Sequence, residues 1–349
     1  MFAVMRFKQH IGVLIASAVI LVCMFTWRVD VYVHGPLNVS ESGYVLEVAS
    51  GASSTRIIYD LARDDVVEWP ALLVAYLKWS GGDRKIKAGE YQLLPGITLD
   101  ELLQKFYRGD VILHEVTLVE GWTVKQVLQH LCTQPAIRCT LNASEDQLVN
   151  IIVNSSGRGN FEGLLFPDTY RYTRGTADAD IIKQANQRLQ QILEQAWNER
   201  APGLPLQNSY QALVLASIIE KETSIAQERE QVAGVFIRRL LLNMRLQTDP
   251  TVIYGLGSEY AGNITREHLQ RLTPYNTYRI DGLPPTPIAL AGAASIKAAL
   301  HPDSGDALYF VARGDGSHVF ASTLEDHNRN VMQYQKKAGL RAKKGAEAR

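Results

Sequence analysis

"GITLDELLQKF", Gly96 to Phe106, opens on a glycine, carries a threonine two places on, and then spaces Leu102, Leu103 and Phe106 along one helical face. Thr98 and Glu101 stand at capping-box spacing, so the segment predicts a turn followed by a helix start. The template recurs. "GASSTRIIYDL" at Gly51 puts Ile57, Ile58 and Leu61 at the same offsets, and "GWTVKQVLQHL" at Gly121 does so with Val127, Leu128 and Leu131, with Thr123 and Gln126 as its capping pair. A strand-like run precedes each glycine: "YVLEVAS", "EYQLL" and "HEVTLVE". Strand, glycine turn and capped helix, used repeatedly, predict an α+β module over residues 29–155.

Similar strand–turn–helix logic occurs in the LysM-type domains that hold cell-wall glycans; taken alone, the repeat establishes only a compact fold. Downstream, the polar stretch "LNASEDQLVNIIVNSSGRGN" leads to a second, mixed α+β domain over residues 156–335. "ADIIKQANQRLQQILEQAWNER", "SYQALVLASIIEKETS" and "REQVAGVFIRRLLLNM" have amphipathic or apolar helical patterns. Short strands or turns are expected in "LQTDPTVIYGLG", "TPYNTY", "DGLPPTPI" and "ALYFVARGDGSHVFAS", where "GDG" between alternating runs signals a hairpin. Residues 336–349 are basic, lack apolar periodicity and predict a disordered tail.

The other end of the chain differs. "IGVLIASAVILVCMFTW", Ile11 to Trp27, contains no charge and follows Arg6 and Lys8. A membrane-spanning helix needs about 20 residues, with a lower limit near 17. Residues 11–28 therefore predict a transmembrane anchor, with residues 1–10 on the cytoplasmic side by the positive-inside rule and Trp27 at the outer interface. A cleaved signal peptide is the competing interpretation, but no small-x-small site precedes Arg28. Everything after the anchor would then be exported, where Cys132 and Cys139 could persist as a disulfide. Lys plus Arg and Asp plus Glu both number 36, so charge offers no argument for a nucleic-acid partner. No spacing of cysteine and histidine resembles a metal site, and no cofactor motif is complete.

"LVLASIIEKETS", Leu213 to Ser224, raises the functional question, because an apolar helix ends on a carboxylate, Glu220. At 100° per residue Glu220 shares its side with Leu213, Ala216, Ser217, Thr223 and Ser224, opposite Leu215 and Ile218. A small-residue face predicts room for a ligand, and a partly desolvated Glu there would have the raised pKa of a general acid. A Glu paired to a basic residue at a fraying helix end fits the same pattern. Glu222 points about 200° away and is expected to be a structural ion-pair partner.

"LASIIEKET", "LQTDPTVIYGLG", "PYNTY" and "GLPPTPI", with "EGLLFPDTY" upstream and "YFVARGDGSHVFASTLEDHN" downstream, resemble in order the signature of the endolytic murein transglycosylases (MltG, YceG-like). Arg238, where Asn is usual, and Ala291, where Pro is common, depart from it. The resemblance implies a single-pass inner-membrane enzyme with its catalytic part in the periplasm, a LysM-like subdomain, and a catalytic Glu at the position of Glu220. Its substrate would be nascent peptidoglycan, cut within the strand at the MurNAc–GlcNAc bond to leave 1,6-anhydro-MurNAc ends, terminating elongation. Peptidoglycan synthases (penicillin-binding proteins) and divisome proteins are the candidate partners beside the glycan and the membrane.

One acid suffices for such a reaction, because the sugar's own C6 hydroxyl replaces water. Gln247, Thr248 and Asp249, before a Pro turn, are candidate sugar contacts, and Asp249 is placed to stabilise oxocarbenium-like charge. Tyr254, Asn276 and Tyr278 are candidates for a stacking ring and hydrogen bonds, while His318 is expected to be an exposed hairpin residue. The rival classes are a non-enzymatic peptidoglycan-binding scaffold and a hydrolytic muramidase with a second carboxylate.

Overall fold

The computed structural model describes residues 2–49, 51–80, 86–141, 148, 152 and 160–336. The expected 155/156 domain boundary and the tail from residue 337 lie outside these. Two compact units are present: Met1–His114 with Thr173–Gly175, and Glu115–Tyr172 with Thr176–Arg349.

In the first unit, α1 (Phe2–His34) continues past the apolar run and is long and apolar enough to cross a membrane, with the window Ile15–Tyr32 wholly unburied. It ends at Gly35 and Pro36, after which the Leu37 N–H donates to Ile97 O at 2.8 Å. β1 (Tyr44–Val48) and β2 (Gly89–Leu93) pair antiparallel, Tyr44 opposite Leu93, and enclose α2 (Ser54–Arg63) and α3 (Pro70–Ser80) in sequence. α4 (Leu99–Arg108) starts with the Thr98–Glu101 capping box formed in both directions and ends at Gly109, whose φ of 71° is left-handed. Ile58, Leu61, Tyr91, Leu102 and Phe106 are the buried centre of this unit. Inside it Glu90 takes hydrogen bonds from His114 and Arg174. Burial would raise its pKa, but those donors outweigh burial and hold the carboxyl below its usual value.

The third copy of the repeat belongs to the other unit. β3 (His114–Thr117) pairs with β5 (Thr169–Tyr172), not with β1 or β2, and Val127, Leu128 and Leu131 of α5 (Val124–Cys132) join a core with Leu165, Ile181 and Leu215. The module expected to run to residue 155 is therefore divided by its packing, since matching apolar offsets specify a buried face but not the core that receives it. The Cys132 and Cys139 sulfurs are bonded, with Cα atoms 5.1 Å apart. Beside them β4 (Ile137–Arg138) runs parallel to β6 (Thr176–Ala177), and the buried Asp178 carboxylate accepts from the backbone of Thr140 and Leu141.

α6 (Asp178–Asn198), α7 (Ser209–Glu222), α8 (Arg229–Leu241) and α11 (Ala293–Leu300) make the helical body, with α9 (Asp249–Leu256) and α10 (Arg266–Gln270) between. "DPTVIYGL" is thus a helix where short strands or turns are expected: Pro250 fits its first turn, whose N–H groups need no intrahelical partner, and Asp249 lies at the positive end of the dipole. α7 is buried from Ala212 to Ile219 on every side. Its small-residue face is filled by protein: α11 packs against it, and Ser217 Oγ accepts from the Ile288 N–H at 3.0 Å while donating to Val214 O at 2.7 Å. Small side chains here admit a close backbone, so the room inferred from the pattern is occupied. A hairpin of β7 (Tyr309–Ala312) and β8 (His318–Ala321), with Gly314 and Gly316 at positive φ, precedes α12 (Leu324–Val331).

Candidate active site

Where α7 ends, the chain opens onto a cleft of about 390 Å³ between the turn before α9, Tyr278, the β7–β8 hairpin and α12. Glu222, Arg239, Gln247, Asp249, Tyr278, Tyr309, His318 and His327 line it. Among the described residues Gln247 is one of three non-glycine residues with a left-handed backbone, φ 52°, and its N–H donates to Thr277 O at 3.2 Å. That turn directs Gln247 and Asp249 to the cleft while Thr248 goes inward, buried, with its N–H on Thr277 Oγ1 at 3.0 Å.

Glu222 has a strongly perturbed carboxyl. Burial pushes its pKa up to about 7, opposed by the hydrogen bond from Thr248 Oγ1 and by His318, and supported by the charge of Asp249. Asp249 in turn accepts from Tyr278 Oη at 2.6 Å, and burial followed by that bond raises the Tyr278 pKa. A carboxyl near pKa 7 in a cleft beside a second, hydrogen-bonded carboxylate can both donate and recover a proton at neutral pH.

Glu220 has different neighbours. Its side chain is 6% exposed, one oxygen accepts from the Gly292 N–H at 3.0 Å, and the other lies 3.7 Å from Arg229 Nη2. Glu120 packs beside it: burial and then the charge of Glu220 raise the Glu120 pKa, and a Cβ at Gly292 would meet Glu120 Oε1 at 1.9 Å. The Gly121 and Leu290 N–H groups donate to Leu290 O and Trp122 O, each at 2.8 Å, and Lys221 Nζ reaches Gly121 O at 3.2 Å. Glu220 thus ties the C-terminal end of α7 to Gly292, and Lys221 ties it to Gly121.

Of the sequence candidates, Gln247, Asp249 and Tyr278 meet in the cleft, and Thr248 reaches it through Glu222. Two do not. Asn276 is 1% exposed and spends its amide on the carbonyls of His268, Leu269 and Arg271, which braces the turn carrying Tyr278. Tyr254 packs edge-on to Tyr275, centroids 4.9 Å apart, against the core. His318 is not an exposed hairpin residue: its ring nitrogen and backbone N–H bind Glu228 at 2.8 and 2.9 Å, and its side chain is 10% exposed. Burial would raise the Glu228 pKa, but the bonds from His318 and Thr223 hold it below its usual value.

Sequence reasoning missed Arg239, Tyr309 and His327. Arg239, nearly buried, donates to the carbonyls of Leu246, Arg245 and Leu308 and sits 5.1 Å over the Tyr309 ring, joining two walls of the cleft. His327 stacks on Tyr309, and burial followed by Arg239 keeps its pKa below the usual value, so it is neutral at pH 7. The usable signal was "RR" at Arg238 and Arg239 in an otherwise apolar helix, where buried arginines demand acceptors. Arg238 Nε and Nη1 likewise hold Ala307 O and Asp303 O at 2.7 and 2.9 Å, which gives this departure from the family pattern a bracing role on the irregular segment leading into the hairpin.

Residues 46–333 match the YceG-like family. The chain belongs to that family. Among YceG-like relatives, the endolytic murein transglycosylase of Bacillus subtilis (strain 168) is 33% identical over 306 residues, covering 83% of this chain and 84% of the relative. The protein of the same name from Streptococcus pneumoniae serotype 2 (strain D39 / NCTC 7466) is 26% identical over 334 residues, covering 86% of this chain and 60% of that longer protein. A crystal structure of a YceG-like protein from Listeria monocytogenes aligns with TM-score 0.50 at 30% identity, covering 83% of this chain and 99% of that one.

Proposed function

We propose that this chain is an endolytic murein transglycosylase in which Glu222, rather than Glu220, is the catalytic acid and base. The neutral Glu222 carboxyl gives its proton to the bridging glycosidic oxygen as the C1–O bond breaks. Its carboxylate then takes the proton of the muramic acid C6 hydroxyl as O6 bonds to C1, closing a 1,6-anhydro ring with no water consumed. Tethering O6 to the reacting sugar gives it the advantage of an intramolecular nucleophile. The observation that carries the assignment is the place of Glu222 at the end of α7, lining the same cleft as Asp249 and Tyr278, and burial pushing its pKa up to about 7 agrees with it. Glu220, committed to Gly292 and Arg229, has the partners of a structural group.

Hydrolysis is the competing reaction, because Asp249 supplies a second carboxylate in the cleft. Purified glycan strands digested in ¹⁸O-labelled water distinguish the two. The transglycosylase yields internal fragments with 1,6-anhydro ends and no label; label in borohydride-reducible ends would identify a hydrolase.

The β1–α2–α3–β2 order with its antiparallel pair supports a LysM-like glycan-holding role for the first unit. With α1 as a single-pass inner-membrane anchor, both units would work in the periplasm on strands still being made. Peptidoglycan synthases and divisome proteins are the partners this position favours.

A further inference from the structure

The uncharged run of α1 ends at Trp27, yet the helix continues to His34. Arg28, Val31, Tyr32 and Gly35 follow at helical spacing on one face and, together with Trp27 and the segment Val66–Trp69, border a pocket of about 730 Å³. Tyr32 stacks on Trp69 with centroids 5.3 Å apart, its hydroxyl accepts the Trp69 N–H at 3.4 Å, and the Arg28 guanidinium carbon lies 5.4 Å from the Trp69 ring centre. Glu68 and Trp69 are exposed at the rim. Neither Arg28 nor Glu68 is in an ion pair among the described residues.

Depth decides what meets this pocket. A helix rises about 1.5 Å per residue, so Arg28 to Tyr32 covers about 6 Å beyond the apolar run. That matches the headgroup layer on one side of a bilayer, roughly 5–8 Å thick. Trp27, Tyr32 and Trp69 are the amphipathic rings that favour this layer. Leu37 hydrogen-bonds Ile97 three residues after the helix ends, which holds the pocket at a fixed distance from the apolar run.

We propose that this pocket binds the headgroup of a zwitterionic aminophospholipid, with its phosphate on Arg28 and its primary amine on Glu68. Opposite charges on one rim complement a zwitterion, whereas Glu68 opposes a purely anionic phosphate or pyrophosphate. The aromatic pair carries the glycerol and first methylenes. This rests on α1 being the anchor.

The test uses the full chain in mixed phosphatidylethanolamine, phosphatidylglycerol and phosphatidylcholine vesicles, followed by detergent extraction and native mass spectrometry of retained lipid. Tryptophan quenching by brominated lipids is measured in parallel. Retained phosphatidylethanolamine should be enriched roughly three- to tenfold over its bulk share, the scale of one or two interfacial charge contacts. Glu68→Gln should abolish that preference, and Arg28→Gln should reduce total retained lipid, with the far-ultraviolet spectrum unchanged in both. A chain that inserts but retains lipid in bulk proportion, prefers phosphatidylglycerol, or is unmoved by either substitution overturns the pocket alone. A chain that does not insert overturns the anchor as well.

Discussion

Glu220 and Glu222 stand two residues apart at the end of one helix and occupy opposite surroundings. The first accepts a backbone N–H, lies by Arg229 and helps join chain segments that are distant in sequence. The second accepts the Thr248 hydroxyl and faces a cleft lined by Tyr278, Tyr309, His318 and His327, where burial and Asp249 disfavour its charge. Burial pushes the Glu222 pKa up to about 7, against the lowering effect of the Thr248 hydroxyl and His318. Two carboxyls so close in sequence thus differ by what surrounds them, which the local sequence "EKE" does not record, and the proposed assignment of the acid to Glu222 rests on that difference.

The sharpest way to break this contrast is kinetic. Glu222→Gln should reduce strand cleavage by roughly 10²–10⁴, the usual scale for loss of a general acid–base. Glu220→Gln should remain within about tenfold of the parent, because Gln can still accept from Gly292 without serving as an acid. Release of muropeptide fragments from purified strands gives both rates. A larger loss from Glu220→Gln than from Glu222→Gln would return the acid to Glu220.

Stability should separate the two in the opposite sense. The folded Glu222 pKa lies above its ordinary value of 4.5, at about 7, so the folded state holds an extra proton between those limits and loses stability as pH rises through them. Glu222→Gln should therefore be neutral at pH 4 and stabilising by about 1–3 kcal/mol at pH 8 in urea denaturation. Glu220→Ala should cost about 1–3 kcal/mol at pH 8, since Gly292 N–H and Arg229 lose an acceptor. Matching changes in the two variants would erase the distinction.

The smallest effect sharpens it. Because the Thr248 hydroxyl lowers the Glu222 pKa, Thr248→Val should move the alkaline limb of the pH–rate profile upward, by less than about one pH unit. The parent limb should fall near pH 7, where Glu222 loses its proton. An unmoved limb would mean that another group controls it.

Several features were legible because they are local. Thr98 with Glu101 and Thr123 with Gln126 specify their own caps, and the "GDG" turn specifies its hairpin. The partner of a strand is not local, so "HEVTLVE" could be recognised as β3 without revealing that it joins β5. The face of α7 failed for a related reason. Periodicity locates Ala216 and Ser217 on the side of Glu220, but Ile288 and α11, which fill that side, are some seventy residues downstream. Polar and aromatic side chains serve sugars and braces equally well in a sequence, and it is the carbonyl partners of Asn276 and the ring contact of Tyr254 that place them away from the cleft. α3 had no match to the repeat template and became evident only as the second helix between β1 and β2.

The spread of the cleft residues along the chain has a consequence in time. Its walls come from Glu222, from 246–249, from Tyr278 and from 309–331, and Arg239 clasps the second of these to the fourth. During synthesis and export none of these segments can form the cleft by itself. If the proposed site is the cutting site, cleavage waits until Val331 has been delivered, and an incomplete chain has no activity against the wall.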